Sequence, residues 1–312
     1  MTTTPEFDPT HAALLKQTGE NIASYNLPEL PEADASEVYE RISIREAQLA
    51  SRGLTESGYD TGTASVDDQV FVLRGSASGL LTAEHATTHI RSGKRKDADW
   101  GTAGLGMVVH EDTDTSFVVA VGRQTGDANH DPEHPLKTEV QTIMGHERPL
   151  VIAGLHGMAA GKFADLEDTK PFDVFIGIGD AANERSEQLA EAVREIADDL
   201  GLRLGINQKF IRLDNAGRLA ARKDGQPGIA SNAFKAAGEH TTRAFAQRVA
   251  EDVGYEPALM QIELSSLFRR MPSGIEHDRH SREMGAYLGY LLVKRTVELG
   301  QSPNFAFEDA SV

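Results

Sequence analysis

The 312-residue chain contains no cysteine and no long apolar run. Without cysteine there are no disulfides, thiolate ligands or thiol nucleophiles, so any metal has to be bound by His, Asp and Glu. No segment approaches the roughly 18 apolar residues that a membrane-spanning helix needs. The first residues, MTTTPEFDPTHAALL, lack the basic-then-apolar order of a secretory signal. These absences predict a cytoplasmic protein that does not associate with membranes.

Basic residues are also scarce, since 31 Lys and Arg face 48 Asp and Glu and give a formal net charge of -17. The acidic excess is spread along the chain and does not form a tail. A dispersed negative charge repels nucleic-acid backbones and anionic lipids, so neither is expected as a partner. The same excess is typical of an acidic, halophilic proteome. The sequence sets no oligomeric state.

The composition changes near residue 65. Residues 36–53 have the pattern of a helix with a Ser start and a Gly stop. Residues 54–68 are rich in Gly, Ser, Thr and Asp, which is typical of a linker or surface loop. We interpret residues 1–65 as an N-terminal accessory segment with its linker. Residues 66–312 are long enough for a substantial core and are predicted to form the catalytic α/β domain.

From Gln69 onward, strand-like and helix-like segments alternate. The predicted strands are QVFVLRG, SGLLTA, SFVVAVGR, PLVIAGLHG, PFDVFIGIG and PALMQIEL, with RLGINQKFIRL as a hairpin or edge strand. The predicted helices are DWGTAGLGMVVHED, DPEHPLKTEVQTIMG, NERSEQLAEAVREIADDLG, GEHTTRAFAQRVAEDVG and HSREMGAYLGYLLVKRTVELG. This alternation predicts an α/β fold with a mostly parallel sheet and helices on both faces.

Three predicted strands deliver polar residues at their carboxyl ends, where open α/β sheets bind ligands. SGLLTA ends at Glu84 and His85, PLVIAGL ends at His156, and PALMQI ends at Glu263. A carboxylate that emerges from a buried strand is costly without a partner. The sequence therefore predicts that these residues meet at one sheet edge, with Glu263 as the general base for a metal-activated water.

A metal that activates water needs about three protein ligands and one open position. His85 and His156 are two candidates. Asp99 begins a predicted helix, where its carboxylate either binds the metal or caps the first turn. His89 follows His85 by four residues, a spacing that places both rings on one face of a helical turn. His89 is the substitute ligand if Asp99 is a cap, and it otherwise binds substrate.

Several cations and polar residues are candidates for substrate binding. Arg91 is closest to the histidines and is predicted to bind an anionic group, because Arg grips a carboxylate through two hydrogen bonds. Lys94, Arg95 and Lys96 are interpreted as a solvated loop face. The GDANHD segment, with Asp127, Asn129, His130 and Asp131, is expected first to shape its loop and second to contact substrate. His240 either meets a substrate carboxylate or caps the helix that follows it.

The segments EHATTHIRSGKRKDADWGT, GDANHD, LHGMA, FDVFIGIG and MQIELSS occur in an order that resembles N-formylglutamate amidohydrolase-like proteins over roughly residues 70–270. The resemblance implies a phosphorylase/hydrolase-like fold, shared with zinc carboxypeptidases and zinc muramoyl-alanine amidases. It implies zinc (Zn2+) as the cofactor and attack of an activated water on an amide carbonyl. His85 and His156 match the family's histidines, Glu263 matches its late glutamate, and Asp99 occupies the place of the acidic ligand in the related amidases.

The chain departs from the family pattern at two places. An acidic residue usually precedes LHG, but this chain has Gly154, so His156 is expected to lack a carboxylate partner. The family's Glu-X-Asn-Arg is Glu263-Leu264-Ser265-Ser266 here. Either Arg269 or Arg270 replaces the lost arginine, or the substrate differs.

Together these residues lead to the hypothesis of a zinc-dependent amidohydrolase that acts on a small anionic N-acyl amino acid. The nearest alternative is a metallopeptidase or a peptidoglycan-type amidase on the same fold. A non-catalytic relative that binds its ligand without turnover is the alternative from another class.

Overall fold

The computed structural model describes residues 32–55, 65–158, 173–179, 182–207, 211–212, 238–269 and 279–302. The strands are β1 (Gln69–Leu73), β2 (Ala77–Ala83), β3 (His89–Arg91), β4 (Lys94–Lys96), β5 (Thr115–Val121), β6 (Val151–Met158), β7 (Val174–Gly177), β8 (Leu204–Asn207), β9 (Ile211–Arg212) and β10 (Ala258–Ser265). The helices are α1 (Glu32–Ser51), α2 (Thr102–Thr113), α3 (Pro135–Glu147), α4 (Glu184–Asp199), α5 (Thr242–Val253) and α6 (Arg279–Gln301).

The main sheet has the strand order β1-β5-β2-β6-β10-β7-β8-β9. Its centre is parallel, because β2 pairs in parallel with both β5 and β6, and β6 pairs in parallel with β10. The β7–β8 pair is also parallel, whereas β1, β7 and β9 each form one antiparallel pairing. The predicted α/β fold with a mostly parallel sheet is confirmed, and the antiparallel β8–β9 pair confirms the predicted hairpin.

Alternate residues of the central strands enter two separate cores, one on each face of the sheet. Leu81, Phe117, Leu155 and Ile262 lie in the larger core with residues of α1, α2, α4 and α6. Leu80, Val118, Ile152 and Leu259 lie in the smaller core with residues of α3 and α5. Helices therefore cover both faces, as predicted. In the described part of the chain, no helix has the length and apolarity to span a membrane.

Helix α1 belongs to the larger core, although it lies in the segment predicted to be accessory. Four of its residues, Ala35, Val38, Ile42 and Leu49, are buried in the same cluster as the central strands. The predicted helix over 36–53 is confirmed with slightly earlier bounds. Residues 1–31 and 56–64 lie outside the described residues, and the division at residue 65 stays a prediction.

The basic stretch after the histidines forms a two-stranded ribbon, where the sequence predicted a loop. Strands β3 and β4 pair antiparallel, with His89 opposite Lys96. The three cations Lys94, Arg95 and Lys96 are exposed, which confirms the predicted solvated face. His89 begins β3, so His85 and His89 do not lie on one helical turn.

Candidate metal centre

The register of the three central strands aligns two rows of polar residues at the carboxyl edge of the sheet. Thr82 pairs with Gly154, and Gly154 pairs with Gln261. Two residues further along each strand, His156 pairs with Glu263. These residues point to the α3/α5 face, because their neighbours along each strand point into the other core. The sheet thus brings His156 and Glu263 together, as the sequence predicted.

His85 and Asp99 complete a cluster with His156. Asp99 Oδ2 lies 3.5 Å from His85 Nδ1 and 3.5 Å from His156 Nδ1. The two Nδ1 atoms are 3.2 Å apart. The backbone helps to hold this arrangement, since Asp99 N–H donates to the carbonyl of His85 at 2.7 Å. The three predicted ligands therefore form one of two groups in the described residues with the spacing of a metal site.

Asp99 does not cap helix α2, which removes the alternative that the sequence left open. The N-cap residue is Gly101, and no side chain of the cap position bonds to the first turn. Glu46 of α1 performs this task instead, because its Oε1 accepts a 2.6 Å hydrogen bond from Gly104 N–H. A contact between residues 46 and 104 leaves no local pattern in the sequence.

Each histidine has a carboxylate behind its other ring nitrogen. His85 Nε2 lies 2.8 Å from Asp127 Oδ1, and His156 Nε2 lies 3.1 Å from Glu84 Oε2. His85 Nε2 is also 3.3 Å from a nitrogen of Arg91, but the shorter contact is to an oxygen that only accepts. His85 Nε2–H therefore donates to Asp127, and His156 Nε2 faces the Glu84 carboxylate as an ion pair, so in the neutral rings Nδ1 is the nitrogen left with the lone pair.

The inner atoms fit a metal ion because three electron-pair donors then face one point. Two ligands at about 2.0–2.1 Å from a tetrahedral zinc ion lie about 3.3 Å apart. The observed spacings of 3.2, 3.5 and 3.5 Å are close to that value. Two imidazoles and one carboxylate are also the ligand types that zinc accepts.

The expectation that His156 lacks a carboxylate partner is wrong. Glu84, on the neighbouring strand's end, occupies the space beside Gly154, and its carboxylate is buried. Sequence reasoning placed Glu84 at the correct edge but assigned it no role. Its signal was the strand pattern, since Thr82 and Glu84 point to the same face as His156.

The charges of the cluster shift the pKa values in opposite directions. Burial alone would lower the pKa of His156, but Glu84 and Asp99 raise it well above 6.5. Burial opposes the change at His85 too, and Asp127 and Asp99 raise its pKa. Burial would raise the pKa of Glu84, but the charge of His156 and the hydrogen bonds lower it to about 2. The carboxylates around the two histidines therefore favour the protonated rings.

Glu263 lies beside this cluster as a buried acid. Burial and the nearby Asp99 raise the pKa of its carboxyl above the ordinary value, although His156 and a hydrogen bond from Gln261 oppose the rise. Gln261 Nε2 donates to Oε1 of Glu263 at 2.5 Å. A raised pKa suits a residue that has to accept and return a proton near neutral pH.

The sequence analysis also missed the role of the Asp127 side chain. Its backbone shapes the GDANHD loop as predicted, because its carbonyl accepts from His130 N–H and Asp131 N–H. Its side chain, however, contacts His85 and Arg91. The available signal was its position after β5, at the same sheet edge as the histidines.

The second group with metal spacing comprises His85, His89 and Asp127. The guanidinium of Arg91 already contacts Asp127 and lies 3.3 Å from His85 Nε2. A cation is thus present where a second metal would bind. His89 stacks on His85 with ring centroids 4.0 Å apart, and neither of its ring nitrogens has a hydrogen-bond partner among the described residues.

Two further residues were predicted to bind substrate. Arg269 is buried, and its nitrogens donate to the carbonyls of Leu264 and Trp100 at 3.2 and 2.7 Å. His240 is exposed and does not cap α5, because Thr241 is the cap and accepts from Ala244 N–H. Arg270, the alternative to Arg269, lies outside the described residues.

No family model and no curated protein matches the sequence. Solved structures similar to the chain include three bacterial proteins. The gene product Atu2144 from Agrobacterium tumefaciens is 14% identical over 79% of this chain and 97% of its own, with a TM-score of 0.42. N-formylglutamate amidohydrolase from Ralstonia eutropha JMP134 is 13% identical over 74% and 98%, with a TM-score of 0.45. A metallo-carboxypeptidase from Pseudomonas aeruginosa is 15% identical over 83% and 69%, with a TM-score of 0.40. Likeness at this level assigns neither a family nor a function to the chain.

Proposed function

We propose that the chain is a zinc-dependent amidohydrolase that cleaves the amide of a small anionic N-acyl amino acid. It would act in the cytoplasm as a distant member of the N-formylglutamate amidohydrolase-like proteins. One observation carries the proposal: His85 Nδ1, His156 Nδ1 and Asp99 Oδ2 lie 3.2–3.5 Å apart, and carboxylates orient both rings from behind.

His85, Asp99 and His156 would hold the ion. Bound there, zinc supplies a Lewis acid that activates water and polarises the amide carbonyl. Glu263 would take a proton from the attacking water and return it to the leaving amine nitrogen. Gln261 occupies Oε1 of Glu263, so Oε2 would carry the proton. The burial that raises the pKa of Glu263 favours this exchange near neutral pH.

Arg91 would orient the substrate carboxylate. Its side chain is 39% exposed and lies between the buried cluster and solvent. Asp127 contacts one edge of its guanidinium and thereby fixes its direction. His89 would offer its unpaired ring nitrogens to the substrate, while Arg269 and His240 stay proposals as substrate contacts. Because the overall charge is -17, a positive side chain such as Arg91 is needed near the site to attract a small anion.

The test combines metal analysis with turnover. The purified chain should contain about one zinc, and His156→Ala should lose it because the site then has two ligands. Glu263→Gln should keep the zinc and lower kcat by about 10²–10⁴-fold, because only the proton carrier is removed. Substrates are N-formyl and N-acetyl amino acids, with short peptides beside them to separate an amidohydrolase from a peptidase.

Gly145→Ala provides the control. Gly145 lies on α3, and nothing stands within 4 Å of an added Cβ, so zinc content and turnover should not change. Absence of zinc from the wild type, even after zinc is added back, would refute the proposal. Zinc binding without turnover on any of these substrates would favour a ligand-binding protein, and full activity in Glu263→Gln would remove Glu263 from the mechanism.

A further inference from the structure

Gly154 stands at the centre of the polar rows, between Thr82 on β2 and Gln261 on β10. A Cβ at this position would lie 3.3 Å from Glu84 Oε1 and 3.3 Å from Thr82 Oγ1. Contacts that close require the neighbours to move by a few tenths of an ångström. The glycine therefore leaves the space into which the Glu84 carboxylate reaches.

Glu84 is 1% exposed and makes two contacts in this space. Thr82 Oγ1 donates to its Oε1 at 2.8 Å, and His156 Nε2 lies 3.1 Å from its Oε2. A buried carboxylate is costly unless its partners compensate for the loss of water. Through Oε2 this carboxylate faces the ring of His156.

We propose that Glu84 is the positioning residue for His156, and that Gly154 permits it by leaving room on the intervening strand. The inference rests on the proposed zinc site. Glu84 fixes the ring through Nε2 and thereby directs Nδ1 at Asp99 and His85. A carboxylate behind a ligating imidazole also makes the imidazole a stronger electron donor.

Two neighbouring strands, β2 and β6, therefore both contribute to holding His156. The family that the sequence resembles usually has an acidic residue at the place of Gly154. Here the carboxylate comes from the end of β2, and the same pocket is filled from the side. Glu84 contacts the outer nitrogen of His156 and not the inner donor atoms, so we expect its effect on chemistry to run through His156.

The experiment measures zinc affinity by competition with a chromophoric chelator, on Glu84→Gln, Gly154→Ala and wild type. Glu84→Gln keeps the shape and removes the charge, so its zinc Kd should rise about 10–100-fold. Gly154→Ala should weaken zinc in the same direction because its Cβ displaces the carboxylate. Gly145→Ala is the matched glycine control and should leave the Kd unchanged.

The unfolding midpoint of each metal-free variant separates positioning from a merely structural role. A structural role would lower the midpoint of Glu84→Gln and leave the zinc Kd of the folded protein within about twofold of wild type, a result that overturns the inference. Wild type without zinc affinity would instead overturn the proposed function, and this inference with it. If Glu84→Gln does not fold, Gly154→Ala decides: an unchanged Kd overturns the inference, and a raised Kd supports it.

Discussion

Zinc binding at pH 6 should release about two protons from the protein. The neighbouring carboxylates raise the pKa values of His85 and His156 above the ordinary 6.5, which favours the protonated rings in the metal-free chain at pH 6. Zinc requires the Nδ1 lone pairs that these protons occupy. Each released proton changes the binding free energy by about 1.4 kcal/mol per pH unit. Two protons give about 2.7 kcal/mol, or about 100-fold in Kd per pH unit.

The direction of the pH dependence of zinc affinity follows from the raised pKa values of the two histidines. Zinc affinity should rise with pH through 6.5 and level off only above the raised pKa values of both histidines. Calorimetry in two buffers of different protonation enthalpy counts the protons at each pH. Release of less than about half a proton at pH 6 would refute the reasoning, because the inner nitrogens would then already be free.

Asp127→Asn is the matched control for this count. Asp127 raises the pKa of His85 by accepting from its Nε2, and an amide cannot replace that charge. The variant should therefore release fewer protons at pH 6, approaching the one that belongs to His156. An unchanged count would show that Asp127 does not control the protonation of His85.

Two further predictions concern stability. Glu46→Ala removes the hydrogen bond to Gly104 N–H and should lower the free energy of unfolding in urea by about 1 kcal/mol. Ile44→Ala, at a 46% exposed position of the same helix, is the control and should change that free energy little. Equal losses in the two variants would contradict a capping role for Glu46. The pKa of buried His89 is lowered to about 3, so its contribution to stability is complete above 6.5 and falls as the pH drops towards 3. Between pH 7 and pH 5 the wild type should lose about 2 kcal/mol that His89→Leu retains, and parallel losses in both proteins would refute the assignment.

The convergence of the site residues could be predicted because it depends on local patterns and one topological rule. Buried strands are visible as β-branched and apolar runs, and their carboxyl ends meet in a parallel sheet. His85, His156 and Glu263 each follow such a run, so their neighbourhood did not require coordinates. Asp99 was only half determined, since a carboxylate before a helix serves as a cap or as a ligand with the same sequence signal.

The partners of these residues could not be predicted, because they depend on what occupies the space between strands. Glu84 reaches His156 only because the residue between them is Gly154, and the pairing of β2 with β6 is not written in either segment. Asp127 reaches His85 across 42 positions through a loop whose shape its own backbone hydrogen bonds set. The glycine at position 154 was therefore interpreted as the loss of a carboxylate partner, although it leaves the space in which Glu84 contacts His156.

Strand order has a consequence for the sequence in which the site is assembled. β6 and β7 are neighbours along the chain, yet β10 lies between them in the sheet. The sheet is continuous between β6 and β7 only after β10, residues 258–265, has been synthesised and has paired with both strands. Pairing of strands this far apart in the chain is generally slow. His85, Asp99 and His156 all precede that step, whereas Glu263 arrives with it. The residues proposed to bind the metal therefore precede Glu263, the proposed proton carrier, in chain order, and the proposed site is complete only when the last central strand is in place.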